Sequence, residues 1–191
     1  MSNHSLDTSL LDRAIIFATE AHSGIERRGK GFPYIVHPLE AVAIVATITS
    51  DQELLAAAAL HDTVEDTDVT LEDIRTRFGD RVAGIVEEES DRFTEGESEE
   101  ASWHSRKRAA IERLAAASRD AKIVALGDKL SNARAIWRDY MVTGDEFWNI
   151  FHVKDKASHK WHYEGLVESL SELSDTFAYK EFKALVGQIF K

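Results

Sequence analysis

The sequence predicts an all-α fold, a bundle of about ten helices. Helix-breaking residues are scarce, since the chain contains only 2 prolines and 10 glycines in 191 residues. Apolar residues recur at helical spacing, as in Leu11, Ala14, Ile15 and Ala18. The length suits one domain over residues 1–191, and no repeat or linker divides it. We therefore expect a globular helical protein with a sizeable core.

The composition limits the classes of function. No cysteine is present, so disulfides and thiolate ligands are excluded, and any metal must be bound by imidazole and carboxylate. The net charge of −11 opposes general nucleic-acid binding. No long apolar segment or signal-peptide core is seen, which predicts no membrane association and a cytoplasmic location.

Start and stop signals predict where the helices lie. Pro38 suits the first turn of one helix, and Ser50 to Glu53 form a capping-box pattern that opens the next. The expected helices cover about 7–23, 38–49, 70–78, 80–91, 102–117, 119–140, 156–174 and 176–190, with a short one near Phe147 and with the helix opened at residues 50–53 containing His61. Residues 94–100 are expected to form a solvated acidic loop.

A polar cluster follows the apolar run that ends at Leu60. His61, Asp62, Glu65 and Asp66 can each bind a metal or move a proton. If the helix continues through them, a rotation of about 100° per residue puts all four on one face. Three carboxyls and a histidine crowded on an otherwise apolar helix favour a neutralising divalent cation. The alternative is a solvated acidic surface without a ligand.

Two further residues have suggestive surroundings. His37 lies at the expected start of a helix, where it either caps and packs or binds a ligand. Asp128 lies within an apolar helical stretch, where an aspartate must be paired or coordinating. Its neighbours Lys129 and Arg134 do not share its helix face, which favours coordination.

Two basic segments stand out in this acidic chain. The first is a glycine-containing loop with Arg27, Arg28 and Lys30. The second is a run on the helix expected at 102–117, with Arg106, Lys107, Arg108 and Arg113. The second is either a solvated face or a phosphate contact.

Taken together, these motifs resemble the hydrolase domain of Rel/SpoT proteins, within the HD superfamily of metal-dependent phosphohydrolases. They are most similar to the stand-alone small alarmone hydrolases. The motifs that carry the resemblance are residues 21–24, 27–28, 33–38, 61–67, 78–79 and 127–132. The resemblance implies an HD-domain helical bundle that is hydrolase-only, with no synthetase or regulatory domain.

The resemblance also implies a role for each matching position. The family's metal ligands correspond to His37, His61, Asp62 and Asp128, with Mn²⁺ the usual ion. Its acidic pair, which positions or activates the attacking water, corresponds to Glu65 and Asp66. Its contacts to the guanine base and nucleoside correspond to Arg27, Arg28 and Asn132.

The implied reaction is removal of the 3′-pyrophosphate of ppGpp or pppGpp, giving GDP or GTP and pyrophosphate. One alternative is an HD phosphohydrolase for another nucleotide, such as an adenine-based alarmone, a nucleoside monophosphate or a phosphorylated dinucleotide. Another is a non-enzymatic, metal-stabilised helical module that binds a nucleotide or a protein.

Three segments depart from the family pattern. The segment between His22 and Tyr34 differs from the commoner Gly-Gln-x-Arg-Lys pattern, with Ile25 and Glu26 before the arginine pair and Gly-Lys-Gly after it. Gly127 stands where alanine is more usual, a change expected to weaken its helix by up to about 1 kcal/mol. Residues 87–93 are acidic where the family has a more apolar, Val-Thr-Lys-like stretch.

Overall fold

The computed structural model describes residues 7–90 and 99–191, so most of the predicted acidic loop at 94–100 lies outside the described residues. The α-helices of the described part are α1 Ser9–Ala21, α2 Val36–Val45, α3 Gln52–Leu60, α4 Thr63–Asp66, α5 Leu71–Phe78, α6 Asp80–Glu89, α7 Glu99–Ala116, α8 Arg119–Thr143, α9 Lys156–Ser169 and α10 Phe177–Ile189. Two 3-10 helices cover Gly144–Ile150 and Ser171–Leu173. The all-α prediction is confirmed.

Side-chain caps explain where several helices begin. Asp51, rather than Ser50, caps α3 by accepting a hydrogen bond from the Glu53 backbone N–H at 2.9 Å. Thr70 and Asp73 form a reciprocal capping box at the start of α5. Ser118 caps α8 through the Ala121 backbone N–H. These caps fix the helix starts close to where the sequence predicts them.

The centre of the fold is formed by α3 and the first half of α8. Every residue of α3 from Leu54 to Leu60 is buried, and so are most residues of α8 from Ala121 to Leu130. Helices that are apolar on all sides belong in the interior rather than at the surface. Any polar residue at the end of α3, or within α8, is therefore carried into the core. Among the described helices, none combines the length and apolar character that a membrane span requires.

The prediction that the helix before His61 continues through it is wrong. That helix ends at Leu60, His61 and Asp62 form a turn, and the four-residue α4 begins at Thr63. The Thr63 hydroxyl donates to the Leu60 carbonyl at 2.6 Å, and the His61 ring donates to that of Ala58 at 2.9 Å. These local bonds compete with the backbone ladder that would continue the helix. The single-face argument from helical periodicity therefore does not hold.

Gly127 has a packing role that helix propensity alone does not reveal. A Cβ atom there would lie 2.8 Å from Val45 Cγ2 and 2.9 Å from the Ala41 carbonyl oxygen. Such distances are closer than packed atoms tolerate. Glycine therefore lets α8 touch the backbone of α2, and this contact brings His37 of α2 near Asp128 of α8.

Substituting Gly127 tests this contact. We expect Gly127→Ala to lower the free energy of unfolding by about 1–3 kcal/mol, because the added methyl group must push α2 and α8 apart. Urea denaturation followed by circular dichroism measures the change. The matched control is Gly187→Ala in α10, where an added Cβ has no neighbour within 4 Å. The control should be neutral or stabilising by up to about 1 kcal/mol. Equal stabilisation by both substitutions would contradict the packing role.

Candidate metal centre and substrate site

Four predicted ligands meet in the interior. The Nε2 atom of His37 lies 3.0 Å from Asp128 Oδ1 and 3.3 Å from Asp62 Oδ2. The Nε2 atom of His61 lies 3.0 Å from Asp62 Oδ2 and 3.7 Å from Asp128 Oδ1. Both histidines are 3% exposed. Side chains from α2, the turn after α3, and α8 thus present two nitrogens and two oxygens to one point.

Hydrogen bonds orient both imidazole rings. His61 Nδ1 lies 2.9 Å from the Ala58 carbonyl, which can only accept, so Nδ1 carries the proton. His37 Nδ1 lies 2.8 Å from Ser131 Oγ, and Ser131 donates its own proton to Glu40 at 2.8 Å. Ser131 must therefore accept from His37. Each Nε2 atom therefore faces the site and, once deprotonated, can bind a ligand, the arrangement that metal-binding histidines adopt.

The donor set fits a divalent cation. His61 Nε2 is buried and has no hydrogen-bond partner among the described residues, although a carboxylate oxygen of Asp62 lies 3.0 Å away. Imidazole nitrogen and carboxylate oxygen are the ligands that Mn, Fe and Zn accept. His37, His61 and Asp128 each offer an atom within 4.8 Å of the others. The geometry therefore suits a metal.

The two aspartates remain ionised despite burial. Burial acts to raise the pKa of Asp62, but the neighbouring His61 and His37 outweigh it and hold that pKa below its ordinary value. Burial likewise opposes the charge of Asp128, and Lys129 with the two histidines lowers its pKa. For His61, burial lowers the pKa, yet Asp62 and Asp128 keep it above the ordinary value. The two ionised carboxylates therefore favour a positive charge between them.

Lys129 contacts Asp128 after all, which corrects the helix-face argument. Its ammonium donates to Asp128 Oδ2 at 2.5 Å, because a long side chain can fold back onto its neighbour in sequence. Glu89, at the end of α6, lies 4.0 Å from the same ammonium and its side chain is 5% exposed. Burial raises the pKa of Glu89 to about 7. Asp128, Lys129 and Glu89 thus form a buried charge chain that the sequence did not predict.

Tyr34 is a second residue that the sequence analysis missed. Its hydroxyl donates to Asp62 Oδ2 at 2.7 Å, and its ring stacks on His22 with centroids 4.9 Å apart. Burial, with Asp62 and Asp66 nearby, raises the pKa of Tyr34 above its ordinary value, so the hydroxyl keeps its proton. Tyr34 lies three residues before His37, within the motif at 33–38 that supports the resemblance. This position was the sequence signal that could have indicated a role for it.

The predicted acidic pair lies beside the ligands. Glu65 and Asp66 are exposed on α4, directly after the turn that holds His61 and Asp62. Their carboxylates thus lie at the solvent side of the site. This position suits groups that exchange protons with a water or a substrate.

The predicted substrate residues are only partly brought together. Arg27 Nη2 donates to Asn132 Oδ1 at 2.6 Å, and its guanidinium lies 5.3 Å from the centre of the Tyr34 ring. Asn132 in turn donates to Asp128 Oδ1 at 2.5 Å, which links this pair to the ligands. Arg28 is exposed on the loop. Arg27 and Asn132 thus form a polar wall on one side of the ligand cluster.

An ion pair holds the second half of the basic loop. Lys30 pairs with Asp139 of α8. Gly29 and Gly31 on either side have φ of +69°, a conformation that favours glycine. The second half of the loop is therefore held against α8 near Asp139, and Arg27 is the loop cation that contacts the His/Asp cluster, through Asn132.

Comparison with known proteins identifies the family. The profile of the HD domain matches residues 14–146. The chain belongs to the HD-domain family of hydrolases. The sequence expectation of a metal-dependent phosphohydrolase fold is thereby confirmed, and the non-enzymatic alternative is set aside.

Three sequence relatives share one enzyme name within this family. The chain is 41% identical over 70% of its length to guanosine-3′,5′-bis(diphosphate) 3′-pyrophosphohydrolase MESH1 of Xenopus tropicalis, of which it covers 73%. It is 40% identical to the human MESH1, of which it covers 72%. A relative with the same enzyme name from Aquifex aeolicus is 36% identical, but the chain spans only 19% of that longer protein.

Solved structures support the fold. The structure of a metazoan orthologue of SpoT, described as hydrolysing ppGpp, superposes with a TM-score of 0.77 over 96% of this chain and 97% of its own. The sequence identity of 24% makes this a likeness of fold alone. A Listeria monocytogenes protein, lmo0812, gives a TM-score of 0.68 at 30% identity, over 84% of this chain and 97% of its own.

The buried Glu89 predicts a pH dependence of stability. Its pKa rises from an ordinary 4.5 to about 7 on folding, so the native state takes up a proton that the unfolded chain releases. Its stabilising contribution is present below pH 4.5 and is lost as the pH rises through about 7. We expect Glu89→Gln to flatten the decline of the free energy of unfolding between these pH values. Denaturation of the metal-free protein at each pH measures it.

The control for this experiment is Glu168→Gln, at an exposed position of α9. It should follow the wild-type pH profile. A Glu89→Gln profile that also overlays the wild type would contradict the burial of an ionisable Glu89.

Proposed function

We propose that this protein removes the 3′-pyrophosphate of ppGpp or pppGpp, giving GDP or GTP and pyrophosphate. The observation that carries the proposal is the convergence of His37, His61, Asp62 and Asp128 on one buried point. Relatives at 40–41% identity are named for this reaction. A nucleotide substrate of this kind also suits the cytoplasmic location that the composition predicts.

We further propose that these four residues hold a divalent metal, with Mn²⁺ as the ion. Two imidazoles and two carboxylates form a donor set that Mn²⁺ accepts. When bound, the metal lowers the pKa of a coordinated water and neutralises charge on the phosphoryl group. Tyr34 and Lys129 each hold one carboxylate by a hydrogen bond, at 2.7 and 2.5 Å, and so fix the direction in which it binds.

Glu65 and Asp66 are proposed to take the proton from the attacking water. They follow the ligand turn directly and their side chains are exposed, so they can meet both the water and the solvent. Asp66 lies close enough to the Tyr34 hydroxyl to raise its pKa, and we propose Glu65 as the main base.

Arg27 and Asn132 are proposed to hold the nucleoside, with Arg28 completing the contact from the exposed loop. The hydrogen bond to Asn132 and the Tyr34 ring beneath fix the plane of the Arg27 guanidinium. A planar cation fixed in this way can stack on a purine base. The carboxamide of Asn132 supplies a donor and an acceptor for base or ribose.

A product assay tests the proposed reaction. The purified protein is incubated with ppGpp and Mn²⁺, and the products are separated by anion exchange. We expect GDP and pyrophosphate in equal amounts, and no turnover by Asp62→Ala, since that variant loses a metal ligand. If ppGpp is untouched while an adenine-based alarmone or a nucleoside monophosphate is cleaved, the assignment of substrate is wrong.

The role of Glu65 is tested separately. We expect Glu65→Gln to lower kcat by about 10²-fold or more, because the amide cannot accept a proton, while metal content stays at the wild-type level. Glu72→Gln, at an exposed position of α5, is the control and should keep the wild-type kcat. Normal turnover by Glu65→Gln would show that another group is the base.

A further inference from the structure

A cavity of about 80 Å³ adjoins the metal centre on the side of α7 and α9. One wall is formed by Lys129, which holds the ligand Asp128, and by Glu65. Glu65 also lines the open groove that runs along Asp66 on the other side of α4. Glu65, which we propose as the base, therefore belongs to the lining of this cavity as well as to that of the groove.

Two members of the basic run on α7 face this cavity. Lys107 and Arg113 line it together with Lys129 of α8. Both α7 residues are half-buried, whereas Arg108 on the same helix is exposed. Three cations from two helices thus lie around one small space in a chain with a net charge of −11. A solvated basic face, one of the two sequence interpretations, does not describe Lys107 and Arg113.

His162 of α9 completes the wall. It is 9% exposed, and its Nδ1 atom has no hydrogen-bond partner among the described residues. Burial, and then the charges of Lys107 and Lys129, lower the pKa of His162 to about 2, so the ring is neutral. An unpaired buried polar atom is costly unless a ligand supplies its partner. A neutral imidazole can donate one hydrogen bond into the cavity.

The carboxylates that share the cavity have partners within the protein. Glu88 accepts from the Ser118 backbone N–H at 2.9 Å and from its hydroxyl at 3.1 Å. Glu89 lies 4.0 Å from the Lys129 ammonium. Glu65, Glu88 and Glu89 are the acidic members of the lining, and Lys107, Arg113 and Lys129 are the basic members.

We propose that this cavity binds a phosphate group. It serves as a subsite for the distal phosphate of the substrate's 3′-pyrophosphate and for the pyrophosphate that is released. Guanidinium and ammonium donors bind phosphate oxygens by charge-assisted hydrogen bonds. The assignment to the substrate rests on the proposed function, whereas binding of pyrophosphate itself does not. With the distal phosphate held here, the ester bond between the nucleoside 3′-oxygen and the adjacent phosphorus lies beside Glu65, and its hydrolysis leaves the P–O–P bond of the released pyrophosphate intact.

Direct binding of inorganic pyrophosphate tests the subsite without turnover. Isothermal titration calorimetry is done with the Mn²⁺-loaded wild type, Lys107→Met and Arg113→Gln. We expect each substitution to weaken pyrophosphate binding at least about tenfold, the loss typical of a hydrogen bond to a charged group. Arg108→Gln, at the exposed position of α7, should bind within about twofold of wild type. Lys107→Arg, which keeps the charge, should restore most of the affinity.

The outcomes separate this inference from the proposed function. Wild-type pyrophosphate affinity in both Lys107→Met and Arg113→Gln, with metal content unchanged, would overturn the subsite even if ppGpp is hydrolysed. Weakened binding in these variants alone, in a protein that does not hydrolyse ppGpp, would support the subsite and refute the proposed substrate. Circular dichroism shows whether Lys107→Met is misfolded. If it is, the pyrophosphate affinities of Arg113→Gln and Lys107→Arg decide whether the subsite exists.

Discussion

Two buried carboxylates, Asp62 and Asp128, constrain the rest of this structure. A buried carboxylate is costly unless it is paired and hydrogen-bonded. Here each one has a dedicated donor, Tyr34 for Asp62 and Lys129 for Asp128, and each also faces the two histidines. These partners keep both groups ionised. Oδ1 of Asp128 faces the nitrogens, and so does Oδ2 of Asp62, the same oxygen that accepts from Tyr34. Two carboxylates so close together in a protein interior are costly unless a cation lies between them.

The scaffold is built to hold those four groups still. The apolar segment of α3 from Leu54 to Leu60 delivers His61 and Asp62 to the centre of the bundle, and the buried first half of α8 carries Asp128 there. Gly127 lets α2 approach α8, so His37 can reach the same point. The ring of His37 is then fixed by Ser131 and Glu40, one residue from each of the two helices. The packing of α2 against α8 therefore also determines how His37 and Asp128 are placed relative to each other.

Much of the site could be predicted from the sequence, because polar residues in apolar stretches leave a clear signal. His61, Asp62 and Asp128 stood out in this way, and His37 stood out at the expected start of a helix. What could not be predicted depends on three-dimensional packing. The turn at His61 arises from side-chain bonds of Thr63 and His61 that compete with a strong helix-forming run. The Ser131–Glu40 pair and the Lys129–Glu89 contact join helices whose relative placement no local pattern encodes.

The central claim is that one divalent cation occupies the point where the two histidines and two aspartates meet. Anomalous diffraction at the manganese edge, from crystals grown with Mn²⁺, tests it most directly. The account predicts one strong peak bonded to Nε2 of His37, Nε2 of His61 and one oxygen each of Asp62 and Asp128. A peak elsewhere, with these four side chains still contacting one another, would contradict it.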